Sequence, residues 1–215
     1  NRIFREDPVR MIRAIKYAAT GSLKIPWSLR RRIRKDRDAL AETPSSRMTE
    51  ELFKILNSGV AARIVEMLMD YGLYRHVLPE QANLAARNPE YRNKLMARLK
   101  LLDEKRHERG PLPRADVLVF ATADYLLEYS PFAEQRRIPF REAYYGLKNF
   151  LSPVTPANRE VEEAINEIFR NKGRLLRDEA PEHLDSSGKR RRPRRRRRRR
   201  NKDTGEQVAS SQSEE

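Results

Sequence analysis

Asp7 and Arg10 stand three positions apart at the start of a helical pattern, in the run NRIFREDPVRMIRAIKY that fills residues 1–17. At that spacing an acidic and a basic side chain leave one helix face together and can reach the same flat object. A carboxylate only accepts hydrogen bonds and a guanidinium only donates them, so the pair complements an edge carrying one donor and one acceptor. The Watson–Crick edge of adenine, with its N6 amine and N1, has that pattern. The same residues also read as ordinary helix chemistry, with Asp7 as an N-cap, Pro8 at the first helical position and an exposed ion pair. Spacing alone leaves both readings open.

The elements that would position this pair are helical. Met11, Ile12, Ile15 and Ala19 recur at helical spacing over residues 8–20, before Gly21, which reads as a left-handed cap. A second helix is expected over 27–42, with a thin apolar stripe of Leu29, Ile33 and Leu40 on a mostly basic surface. That surface reads either as a solvated face or as a contact for an RNA backbone. A third follows over 46–57, capped by Ser45 or Ser46, with Leu52, Phe53, Ile55 and Leu56 inward. On it Arg47 and Glu51 lie at i and i+4, the spacing of a structural ion pair. Residues 60–71 form a fourth helix closed by Gly72 and Leu73, and the chain turns at Leu78-Pro79. Helices over 89–108, 115–129, 140–151 and 157–171 complete the pattern, and Tyr144 and Tyr145 read as core residues or as platforms for RNA bases. No strand-like alternation of useful length appears, so the fold class is all-α.

Composition narrows the function. There are no cysteines, so disulfides and thiolate metal sites are excluded, and His76, His107 and His183 form no ligand pair at helical spacing. No apolar run approaches the ~20 residues of a membrane span, and no secretory leader is visible. The net charge is +15. Residues 189–202 supply twelve positive charges and residues 203–215 four negative ones, which leaves +7 for residues 1–188. Neighbouring guanidinium groups repel and have nothing apolar beside them to bury, so residues 179–215 read as a disordered Arg-rich tail. Its arginines, Arg190, Arg191, Arg192, Arg194, Arg195, Arg196, Arg197, Arg198, Arg199 and Arg200, suit a dense polyanion. RNA is the natural partner, a membrane surface or a nuclear-localisation receptor the others.

The string Arg5-Glu6-Asp7-Pro8-Val9-Arg10-Met11-Ile12-Arg13-Ala14 resembles the EDxxRxxRA motif at the head–neck junction of class II tRNA nucleotidyltransferases and bacterial poly(A) polymerases. The segment Ser46-Arg47-Met48-Thr49-Glu50-Glu51-Leu52-Phe53-Lys54-Ile55-Leu56 is similar to the second neck motif. Residues 61–79, with Leu68, Tyr71-Gly72-Leu73 and Leu78-Pro79, resemble the remainder of the neck. The likeness covers about the first eighty residues. It implies a neck over 1–80, a helical body over 81–178 and the tail over 179–215.

The resemblance further implies that Asp7 and Arg10 bind the nucleotide base, supported by Glu6, Arg13, Arg47 and Glu51. ATP is the expected substrate, RNA the expected partner and the cytoplasm the expected location. The family holds Mg²⁺ in an N-terminal catalytic head, between a Gly-Ser turn and two strand-borne Asp residues. Gly21-Ser22 and Asp36-Arg37-Asp38 carry those letters in the wrong context, at a helix stop and in an Arg-rich helical segment, after the junction motif instead of before it. The expectation is therefore the C-terminal portion of a polynucleotide adenylyltransferase, without catalytic or metal residues and inactive alone. Basic tails are common among the bacterial poly(A) polymerases, which tilts the reading toward poly(A) synthesis. The alternatives are CCA addition to tRNA and a non-catalytic helical RNA-binding module.

Overall fold

Helix α2, Val9–Thr20, buries Val9, Met11, Ile12, Ile15, Ala18 and Ala19 along one face, and that face decides how the first eighty residues pack. A computed structural model describes residues 3–170 and the backbone of Leu175–Leu176. All of these lie in one compact unit, Asn1–Pro181. A short helix α1, Ile3–Glu6, precedes α2 and buries Phe4. Helix α3, Trp27–Asp36, turns Ile33 and Asp36 inward, and a 3₁₀ segment, Arg37–Glu42, brings Leu40 into the core. The single helix expected over 27–42 thus tightens at Arg37, a frequent way for a last turn to satisfy its free carbonyls.

Helix α4, Ser45–Leu56, begins after Pro44 with no side-chain cap, so neither Ser45 nor Ser46 fills the expected role. Instead Ser45 offers its carbonyl to the Thr49 hydroxyl, 2.7 Å away. Helix α5, Ala61–Asp70, lies against α2 and α4. A one-turn α6, Tyr74–Val77, then leads to α7, Pro79–Arg87, which periodicity does not reveal because only Gln81 and Ala85 of its nine residues are buried. The long α8, Pro89–Arg109, starts from an Asn88 side chain that accepts from the Tyr91 amide at 3.0 Å. It packs on α5, on α7 and on α9, Arg114–Asp124. Helix α9 runs into a π turn, Tyr125–Tyr129. Helices α10, Phe140–Leu151, and α11, Asn158–Phe169, close the bundle, with α11 seated on α9. The only extended pairing among the described residues is two residues long, β1 Ile138–Pro139 beside β2 Leu175–Leu176, and the class is all-α.

Two helix ends share one geometry. The Leu73 amide donates to the Leu68 carbonyl at 2.8 Å through Gly72, whose φ is +71°. The Leu23 amide donates to Ala18 at 2.8 Å in the same way. There the left-handed residue is Ser22, at φ +53°, while Gly21 sits at −84°. The cap expected at Gly21 therefore falls one residue later, because a six-to-one bond requires the turn immediately before Leu23.

Candidate nucleotide- and RNA-binding site

Asp7 occupies the turn between α1 and α2 and does not cap. Helix α2 follows Pro8 with no side-chain hydrogen bond at its start. The Asp7 carboxylate faces two guanidinium groups instead. Arg10 Nε donates to Oδ2 at 3.3 Å from one turn along α2, and Arg47 Nη2 donates to Oδ2 at 2.9 Å from the first turn of α4. Arg47 Nη2 also lies 2.9 Å from Oδ1, which is buried and accepts no hydrogen bond. Arg10 remains more than half exposed. The arrangement is a carboxylate held in place by one arginine beside a second arginine that stays more than half exposed.

Beneath this pair the α2–α4 seam holds a buried carboxylate. Glu51 is 1% exposed, and its Oε1 accepts from Arg13 Nε at 3.0 Å, Arg13 Nη2 at 2.8 Å and Lys54 Nζ at 3.2 Å. Lys16 Nζ approaches Oε2 at 3.8 Å. Burial alone would raise the Glu51 carboxyl, but the hydrogen bonds from Arg13 and Lys54 outweigh it and hold the group below its ordinary value. The same bond pushes the Arg13 guanidinium up.

The expected ion pair between Arg47 and Glu51 does not form. Glu51 turns into the seam toward α2, while Arg47, one turn earlier on α4, stays at the rim and reaches Asp7. Among the described residues Glu6 takes no part; it ends α1 and is exposed. Lys16 and Lys54 join the network without having been singled out. Lys54 at i+3 from Glu51 was a usable signal, whereas the contact of α2 with Glu51 across about forty residues leaves no mark in a single sequence. Tyr144 is core, and Tyr145 is half exposed under Arg141. The tail arginines of residues 190–200 lie outside the described residues.

A second cationic surface is carried by α3. Arg30, Arg31, Arg34 and Lys35 are exposed along its outer face, beside Trp27, which is 71% exposed. On the inner side the Asp36 carboxylate is buried between Arg5, at 3.4 Å, and Arg32. No helix among the described residues is long and apolar enough to cross a membrane.

An all-α fold with a paired acid and base at the start of its leading long helix is what these features define. Residues 22–84 match the sequence family described as the probable RNA and SrmB-binding site of polymerase A. A stretch of 76 residues is 33% identical to poly(A) polymerase I of Escherichia coli O157:H7 and of Salmonella typhi, and 30% identical to that of Haemophilus influenzae. That stretch is 35% of this chain and 16% to 17% of those relatives. The likeness to poly(A) polymerases seen in the neck motifs is thus found independently, over residues 22–84 and over a 76-residue stretch that spans about a sixth of those relatives.

Proposed function

We propose that the intact protein adds AMP from ATP to RNA 3′ ends, and that this chain supplies the base-reading neck and the RNA-holding surfaces. The observation that carries this reading is the Asp7 carboxylate, fixed by Arg47 at 2.9 Å with Arg10 beside it at 3.3 Å. A bound adenine would donate its N6 amine to Asp7 and accept at N1 from Arg10, taking over the outward donors of that guanidinium. Arg13 and Glu51 lock α2 against α4, so the reading edge keeps its place as nucleotides come and go. RNA is the partner of the α3 surface and of the tail, and the cytoplasm is the location.

The metal belongs to a catalytic head N-terminal to this chain. Among the described residues no group of three or more His, Cys, Asp or Glu side chains could hold an ion. No step assigned to these residues passes through Mg²⁺.

Nucleotide incorporation by the full-length protein tests the reading, with each NTP supplied alone and together, Mg²⁺ and a labelled RNA primer. Long products from ATP alone are expected. Products that need CTP and stop after three additions would mean CCA synthesis, and RNA binding without incorporation would mean a non-catalytic module.

A further inference from the structure

The outer face of α3 combines two features. Among the described residues Arg30, Arg31, Arg34 and Lys35 have no carboxylate within ion-pair distance, whereas Arg5, Arg13, Arg32, Arg47 and Arg75 each have one. The same face presents Trp27, a large apolar ring left 71% exposed at the first position of the helix.

The cations are also held in position. Arg30 and Arg34, one turn apart, lie with Cζ 5.8 Å and 5.9 Å from the ring centroid of Tyr71, which is itself buried. Arg31 lies with Cζ 5.6 Å from the centroid of Trp27. Stacking of a guanidinium on an aromatic ring removes rotamer freedom before any ligand arrives. Along the helix Arg30 and Arg34, and Arg31 and Lys35, are each separated by a rise of about 6 Å. The result is two guanidinium groups set against Tyr71 and a third against an indole that stays 71% exposed.

We infer that this face is a binding site for single-stranded RNA, in which Arg30, Arg34 and Lys35 follow the phosphates while an unpaired base stacks on Trp27. The inference rests on the RNA-binding reading above and adds the strand preference and the residues that set it. Aromatic stacking combined with a basic groove holds single strands without reading sequence, because every base has a π face. In a duplex the bases are already stacked on one another and cannot reach the indole. An acidic peptide would satisfy the cations but would leave the exposed ring without a purpose.

Trp27 is the only tryptophan in the chain, so its fluorescence reports this site alone, whatever the tail binds. The full chain is titrated with an oligoadenylate of about ten nucleotides, an RNA duplex of the same length, inorganic polyphosphate and polyglutamate. We expect saturating quenching by the oligoadenylate and little by the other three. Arg30→Ala with Arg34→Ala should weaken the quenching transition roughly tenfold, and Trp27→Ala should weaken oligoadenylate binding, followed by a label on the RNA, by a similar factor. Far-UV circular dichroism confirms that each variant is folded.

Oligoadenylate that binds the protein without changing Trp27 fluorescence would overturn the inference and leave the RNA-binding reading standing. Equal quenching by duplex or polyphosphate would show a charge effect without stacking, and equal quenching by polyglutamate would point to an acidic protein partner. Either result overturns it. Failure of the wild-type chain to bind any RNA would overturn the RNA-binding reading, and this inference with it.

Discussion

Arg13 and Glu51, 38 residues apart, meet at 2.8 Å across the α2–α4 seam, and the carboxylate is buried while the guanidinium keeps a route to solvent. Removing one partner of a buried pair costs about 3–5 kcal/mol, because the other charge is left unpaired. Arg13 is 37% exposed, so water screens part of that cost. Glu51→Gln should therefore destabilise the fold by about 2 kcal/mol, read as a lower midpoint in urea at neutral pH. The sign of the pH effect follows from the depressed Glu51 carboxyl. Its stabilisation is complete above the ordinary glutamate value, about 4.3, and is lost as pH falls below it through the folded value. The gap between wild type and Glu51→Gln should close in acid. A constant gap down to pH 3 would show that the pair contributes nothing through its charge.

How much of this could be read beforehand depends on range. The buried faces of α2, α4 and α5 follow from i, i+3, i+4 spacing, and the left-handed Gly72 with Leu73 behind it is a local signal. Asp7 beside Arg10 was equally legible, because both sit on one stretch of chain. The partners of Arg13 and Arg47 were not. On one helix Arg47 and Glu51 are neighbours, and only the packing of α2 on α4 decides that Glu51 turns to Arg13 and Arg47 to Asp7. Helix α7 was missed for a related reason. Its inward residues are Gln81 and Ala85, and a buried glutamine carries no hydrophobic period.

Arg10 and Arg47 share one carboxylate but should fail differently. On the proposed reading Arg10→Ala removes a donor to the base, and in the intact protein the preference for ATP should fall about tenfold or more, the equivalent of one charged hydrogen bond. Arg47→Ala leaves the donor and frees the acceptor, so ATP incorporation should slow while the choice among nucleotides shifts less. Both arginines are about half exposed and each leaves the other beside Asp7, so neither change should cost more than about 1 kcal/mol of stability. Unchanged nucleotide choice in Arg10→Ala would remove Arg10 from base reading.

Ser22 holds a left-handed backbone that glycine adopts freely. Its hydroxyl accepts from Arg63 Nη1 at 2.8 Å, an exposed contact that offsets little of the strain. Ser22→Gly should raise stability by about 0.5–1 kcal/mol, seen as a higher melting temperature. A lower melting temperature would mean that the Arg63 contact, or the added freedom of the unfolded chain, outweighs the relief.

Gln81 is fully buried at the crossing of α7, α8 and α9. Its Nε2 donates to the Tyr91 hydroxyl at 2.8 Å and to the Ala121 carbonyl at 2.7 Å, and its Oε1 accepts from the Tyr74 hydroxyl. Gln81→Leu keeps the volume but strands two phenols and a carbonyl, at a cost of about 2–4 kcal/mol. Burial also raises both phenols above the ordinary tyrosine value. A raised phenol stabilises the fold fully below the unfolded value, and that contribution is lost as pH climbs through the folded one. Stability should accordingly decline from about pH 10 upward, with the phenolate absorbance of these two rings appearing only on unfolding. Ionisation of every tyrosine in the still-folded chain would contradict the network.

If the α3 face and the tail both bind RNA as proposed, they do so by different physics, and salt separates them. Each phosphate neutralised on a single strand contributes about −0.7 to the slope of log affinity against log salt. Residues 189–202 carry twelve positive charges, so the tail can add at most about 8 to the steepness of that slope. A chain ending at Gly188 should bind oligoadenylate more weakly at low salt, with a shallower slope. The affinity that remains should resist salt better, because stacking on Trp27 releases no counterions. Equal slopes with and without the tail would show that its arginines do not hold the RNA, and would leave α3 as the main electrostatic contact.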